Sequence, residues 1–168
     1  AKDNPYMVVA RNLDLGEWKD IHPKDKHEIG KRAADETLRV FFKMDKPAPI
    51  SIKDYKFNTD GSVTINLTKE ATLVNGKNGF EICVNGKWTY NCQVSIEGST
   101  ITVKGVGIIN KVRYGYQCNM NDEIKNDVSK MVTVYDSNGM PLDLFLIEKE
   151  WKRGFPLFFF DRDKPQVS

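Results

Sequence analysis

The chain has 168 residues, of which 40% are hydrophobic and 29% charged, with a formal net charge of +2. That composition excludes a disordered chain, and the charge balance provides no electrostatic footprint for nucleic acid or anionic lipid. The longest aromatic-apolar cluster, over 155–160, is too short to span a bilayer, and the polar residues 1–5 do not read as a secretory signal.

In chain order, Tyr6-Met7-Val8-Val9-Ala10 is a continuous apolar run, the pattern of a strand buried on both faces. A loop over 12–22 follows, and then a helical pattern over about 23–43. Pro23 suits a first helical turn, and Asp25 with Glu28 has capping-box spacing. Ile29, Ala33, Thr37, Leu38 and Phe41 or Phe42 give one apolar stripe, which Pro47 and Pro49 close off. Strand, loop and amphipathic helix together form the closing β-loop-α unit of an α/β sheet. One strand and one helix cannot bury themselves, so the unit is not a complete domain.

Beyond Pro49 the hydrophobic period becomes two. Val63, Ile65 and Leu67 alternate with polar residues, as do Phe80, Ile82 and Val84, then Ile101 and Val103, and similar runs lie at 112–116 and 131–135. Asp60-Gly61, Asn75-Gly76, Asn78-Gly79, Asn85-Gly86 and Asn138-Gly139 punctuate them as turns. Seven or eight short strands at this spacing predict an antiparallel β-sandwich. The expected fold class is therefore α+β overall. It comprises an α/β segment over 1–46, a β-sandwich over 47–150 and a tail over 151–168. In that tail, Trp151 and the aromatics of 155–160 are expected to pack back on the sandwich or across to an α/β part.

The stretch that bears chemistry is Asp14-Leu15-Gly16-Glu17-Trp18-Lys19-Asp20-Ile21-His22-Pro23. It sets a histidine among acidic residues on the loop after a buried strand, at the carboxyl end of a sheet, where α/β folds place their active sites. The residues alone leave two readings. In one, Asp20 caps the helix and His22 is an ordinary loop histidine. In the other, a carboxylate fixes the imidazole tautomer and leaves the second nitrogen as a general base, two thirds of a nucleophilic triad.

The string Asp20-Ile21-His22-Pro23-x-x-Lys26-x-x-x-Gly30-x-Arg32 resembles the histidine motif of sialate O-acetylesterases and related carbohydrate acetylesterases of the SGNH hydrolase group. Val112-Arg113-Tyr114-Gly115-Tyr116 and Val134-Tyr135-Asp136-Ser137-Asn138-Gly139-Met140-Pro141 resemble two later segments of the same proteins, in the same order. The resemblance implies an SGNH-like esterase unit that removes O-acetyl groups from sialic acid or related acetylated sugars through an acetyl-enzyme. It makes His22 the catalytic base and acid and Asp20 the residue that orients it. The wider group places its aspartate three residues before the histidine, where this chain has Lys19, so Glu17 or a backbone carbonyl is an alternative orienting group.

The family's Gly-Gln-Ser-Asn type nucleophile motif does not occur, and every serine lies beyond residue 50. The expectation is a chain inactive by itself, whose nucleophile belongs to a missing N-terminal esterase part. A serine-histidine mechanism requires no metal or organic cofactor. A secreted or periplasmic location follows only from the substrates of the resembled family. The alternative, from another functional class, is a non-catalytic carbohydrate-binding or accessory β-sandwich module.

Weaker signals complete the reading. Trp88 and Tyr90 alternate in a strand, which fits cross-strand pairing or a sugar-stacking platform. The acidic and amide residues of 119–127 lack the central glycine and closing glutamate of a calcium loop and read as a solvated connection. Gly105-Val106-Gly107 is too short to cradle phosphate, and Asn66-Leu67-Thr68 is a formal sequon inside a predicted strand. Cys83, Cys92 and Cys118 contain no C-x-x-C and read either as a pair across neighbouring strands, Cys83 with Cys92, or as buried free thiols.

Overall fold

The computed structural model describes residues 25–74, 79–115 and 132–149. The expected strand at 6–10, the motif residues 14–23, the 119–127 loop, Cys118 and the aromatic tail lie outside the described residues.

Helix α1 spans Lys26–Val40. It begins three residues later than expected, because the residue that caps it is Asp25. The Asp25 carboxylate accepts the Glu28 backbone N–H at 2.9 Å and satisfies one of the donors left open by the first turn. Glu28 does not complete a reciprocal box. Its carboxylate instead accepts the Arg32 Nε–H at 2.9 Å, one turn along the helix.

Ten strands follow among the described residues: β1 Ile52–Phe57, β2 Val63–Leu67, β3 Ala71–Leu73, β4 Phe80–Val84, β5 Lys87–Thr89, β6 Cys92–Glu97, β7 Thr100–Gly105, β8 Ile109–Tyr114, β9 Val134–Asp136 and β10 Phe145–Glu148. All pairings are antiparallel. They build a four-stranded sheet in the order β1-β2-β7-β6, a second in the order β10-β8-β4-β5, and a small sheet of β3 with β9. The count exceeds the seven or eight expected in part because a strand as short as β3, three residues long, shows no alternation of its own.

Alternation determines which residues meet in the centre. Val63, Ile65, Ile101 and Val103 of the first sheet are fully buried, as are Phe80, Ile82, Val112 and Tyr114 of the second. They join one hydrophobic core with Ile50, Val134 and Leu142, the two-layer arrangement expected of packed antiparallel sheets. At the Asn85-Gly86 turn between β4 and β5 both residues have positive φ, 51° and 78°, the geometry that a two-residue hairpin needs. At the β1–β2 hairpin Gly61 has φ 86°, and a Cβ there would lie 3.1 Å from the Gly107 carbonyl oxygen.

Two expectations are corrected or resolved here. Cys83 on β4 and Cys92 on β6 do not sit on neighbouring strands, since β4 pairs with β5 and β8 while β6 pairs with β7. Both are free thiols. The sequon residue Asn66 is held within its sheet, donating to the Asp54 carboxylate and accepting from the Thr100 hydroxyl. A glycan on that amide nitrogen would replace one of its two hydrogens and crowd the bond to Asp54.

Candidate functional site

His22, Asp20 and the alternative orienting residue Glu17 lie outside the described residues, but the C-terminal half of their motif is on α1. Lys26, Gly30 and Arg32 occupy its first two turns. Because the N-cap belongs to Asp25, the capping reading of Asp20 loses its helix end. Arg32 is buried, with 6% of its surface exposed, and its guanidinium is bound to Glu28. It stands three residues after Ile29, beside the apolar stripe, so the sequence pattern gave no sign that a cation is the buried residue of this helix.

The remainder of the stripe is not buried. Ile29, Ala33 and Leu38 are half-buried, Phe41 and Phe42 just beyond the helix are exposed, and Met44 is 50% exposed. The contrast with the fully buried sheet residues is physical: a helix with an apolar stripe needs a facing layer to cover it.

The two later motif segments are joined to each other. Tyr114, fully buried on β8, accepts the backbone N–H groups of Thr133 at 2.8 Å and Val134 at 2.9 Å through its phenolic oxygen. Its ring packs on Phe80 and Phe145, with centroids 4.7 and 5.7 Å away. Asp136 is also buried and accepts the N–H groups of Asn138 and Met140, closing the turn around Asn138-Gly139. Tyr114 and Asp136 thus brace the sheets.

Two potential nucleophiles among the described residues, Ser62 and Cys92, have structural partners. The Ser62 hydroxyl donates to the Asp60 carboxylate at 2.6 Å in the β1–β2 turn, which holds the Asp60 carboxyl below its ordinary 3.8. No histidine joins that pair, for the one described histidine, His27, is exposed on α1. The Cys92 thiol, directed at the Phe80 carbonyl, is pushed up to about 11 by burial, with the Glu81 charge adding to the effect. Such a thiol stays protonated and unreactive at neutral pH. Among the described residues, no group of three or more His, Cys, Asp or Glu forms a metal-binding cluster. No described helix is long and apolar enough to cross a membrane.

The second sheet carries an ionic and aromatic cluster that sequence reasoning did not assemble. Glu81 on β4 and Arg113 on β8 are directly paired in register, and the guanidinium makes a two-pronged bond to the carboxylate at 2.6 and 3.0 Å. The same guanidinium lies 4.2 Å from the ring centroid of Trp88. Glu81 and Arg113 are 32 residues apart, so only strand register brings them together.

These elements define an α+β chain dominated by antiparallel sheets. The chain matches no protein-family model and no curated protein. Its fold is similar to the crystal structure of a carbohydrate acetylesterase from Xanthomonas citri, with a TM-score of 0.66 and 18% sequence identity. The similarity covers 82% of this chain and 31% of that one, so this chain spans less than a third of that protein's length. At that identity the likeness is one of fold.

Proposed function

We propose that this chain is the C-terminal part of a serine carbohydrate esterase of the SGNH group, acting on O-acetyl esters of sialic acid or related sugars. In this reading His22 takes the proton of a serine supplied by an N-terminal esterase part as that serine attacks the acetyl carbonyl. It then returns the proton to the departing sugar hydroxyl, and repeats the exchange with water to release acetate. Asp20 accepts from the other ring nitrogen and holds the tautomer.

The observation that carries the proposal is α1. It is capped by Asp25, two residues after the Asp-Ile-His-Pro string ends, and its apolar stripe is left without full burial. This is what the last helix of an α/β layer would show when the remainder of its sheet belongs to another segment. The carbohydrate acetylesterase of similar fold, more than three times the length of the matched part, supports the same reading.

The test compares the intact esterase, with its N-terminal part, against His22→Ala on an acetylated sugar. We expect kcat to fall by about 10³-fold or more with the circular dichroism unchanged. Residues 1–168 alone are expected to show no turnover. Hydrolysis by this chain alone, or full activity in His22→Ala, would refute the proposal. Asp20→Asn and Glu17→Gln then separate the two acidic candidates for the orienting role.

A further inference from the structure

The outer face of the second sheet is defined by its register. Val112 and Tyr114 of β8, Phe80 and Ile82 of β4, and Ile147 of β10 turn into the core. Their strand neighbours therefore turn the other way. One row across this face runs Leu146, Arg113, Glu81; the next runs Glu148, Lys111, Cys83, Trp88. Trp88 keeps 37% of its surface exposed, and Leu146 keeps 42%.

We infer that this face is a carbohydrate-binding strip centred on Trp88, taking an uncharged saccharide. Three features of the face argue for that ligand. The indole is braced: the Arg113 guanidinium lies 4.2 Å from its centroid and is itself bound to a Glu81 side chain only 7% exposed. A preset aromatic surface stacks on the C–H face of a sugar ring without an ordering cost. The charges cancel in pairs, Arg113 with Glu81 and Lys111 with Glu148 at 2.7 Å, so the strip has no net field to attract a polyanion. Lys111 and Glu148 are 40% and 38% exposed, which leaves both donor and acceptor groups within reach of sugar hydroxyls. A sheet face bearing one exposed aromatic among balanced ion pairs is too polar for an apolar partner and suits a polyhydroxylated ring.

The inference does not rest on the esterase reading: binding is measured without turnover and involves no step at His22, so either can fail alone. The full chain is titrated with xylohexaose, cellohexaose and mannohexaose, following the indole N–H resonances. The Trp88 signal is assigned by its loss in Trp88→Phe. We expect a saturable shift of that signal with at least one of these oligosaccharides, and at least about tenfold weaker binding in Trp88→Ala. The affinity should hold between about 50 and 500 mM salt, because no net charge is neutralised. Trp88→Phe, which retains an aromatic ring, should bind with intermediate affinity and serves if Trp88→Ala does not fold. Absence of a saturable shift with all three, or undiminished binding in the variants, overturns the inference. So does binding confined to an acidic polysaccharide and abolished by salt.

Discussion

Replacing Tyr114 by Phe removes one oxygen from the centre of the protein and leaves the ring in place. That oxygen accepts the N–H groups of Thr133 and Val134, at 2.8 and 2.9 Å. Thr133 is 3% exposed and Val134 fully buried, so bulk water cannot replace the lost acceptor. A buried donor left unsatisfied costs about 1–3 kcal/mol, and two weakened together give an expected loss of about 2–4 kcal/mol. Packing against Phe80 and Phe145 is retained, so no cavity adds to the cost. In a chain of this length the loss corresponds to a Tm lower by about 6–12 °C. Urea unfolding followed by circular dichroism should show the midpoint moved and the m-value unchanged. Hydrogen exchange should show the Thr133 and Val134 amides losing protection while those of β2 and β7 lose only what the global stability loses. A loss below about 0.5 kcal/mol would refute the reasoning, because the two amides would then have another acceptor.

Two further outcomes follow from the same geometry. Gly61→Ala and Gly86→Ala both place a Cβ at positive φ, 86° and 78°, and each should destabilise by about 1 kcal/mol for that reason alone. Gly61→Ala should cost more, since its Cβ meets the Gly107 carbonyl oxygen at 3.1 Å whereas nothing lies within 4 Å at Gly86; equal midpoints in urea would refute the difference. For Cys92 the folded state favours the protonated thiol, raised to about 11 from 9.0. Its contribution to stability is therefore fully present below pH 9.0 and is lost as pH rises to about 11. Alkylation of the folded protein, followed by peptide mass analysis, should show Cys92 protected at pH 8; rapid modification there would contradict the burial argument.

The sequence by itself determined what depends on near neighbours. The Asp25–Glu28 spacing foretold the cap of α1, because a side chain reaching a backbone N–H three residues on needs nothing else from the fold. Asn85-Gly86 foretold a hairpin, because few residue pairs accept two positive φ angles in succession. Alternation foretold the buried faces of β2 and β7, because side chains on a strand point to opposite sides in turn, whereas β4 is buried on both sides, Glu81 and Cys83 included. The motif around His22 was legible as residue types and order, and its candidate roles rest on that order.

Tertiary structure decided the rest. No local pattern records that β4 and β6 belong to different sheets, and so the facing of Cys83 and Cys92 across neighbouring strands could be named from sequence but not excluded. The burial of Arg32, the Glu81–Arg113 pair under Trp88, and the bond from the 133–134 backbone to Tyr114 were equally hidden. Each joins groups whose meeting depends on strand register or on helix surroundings rather than on spacing along the chain. A one-residue slip of register would turn Glu81 into the core and dissolve the cluster, and it is the burial of Phe80, Ile82, Val112 and Tyr114 that forbids the slip.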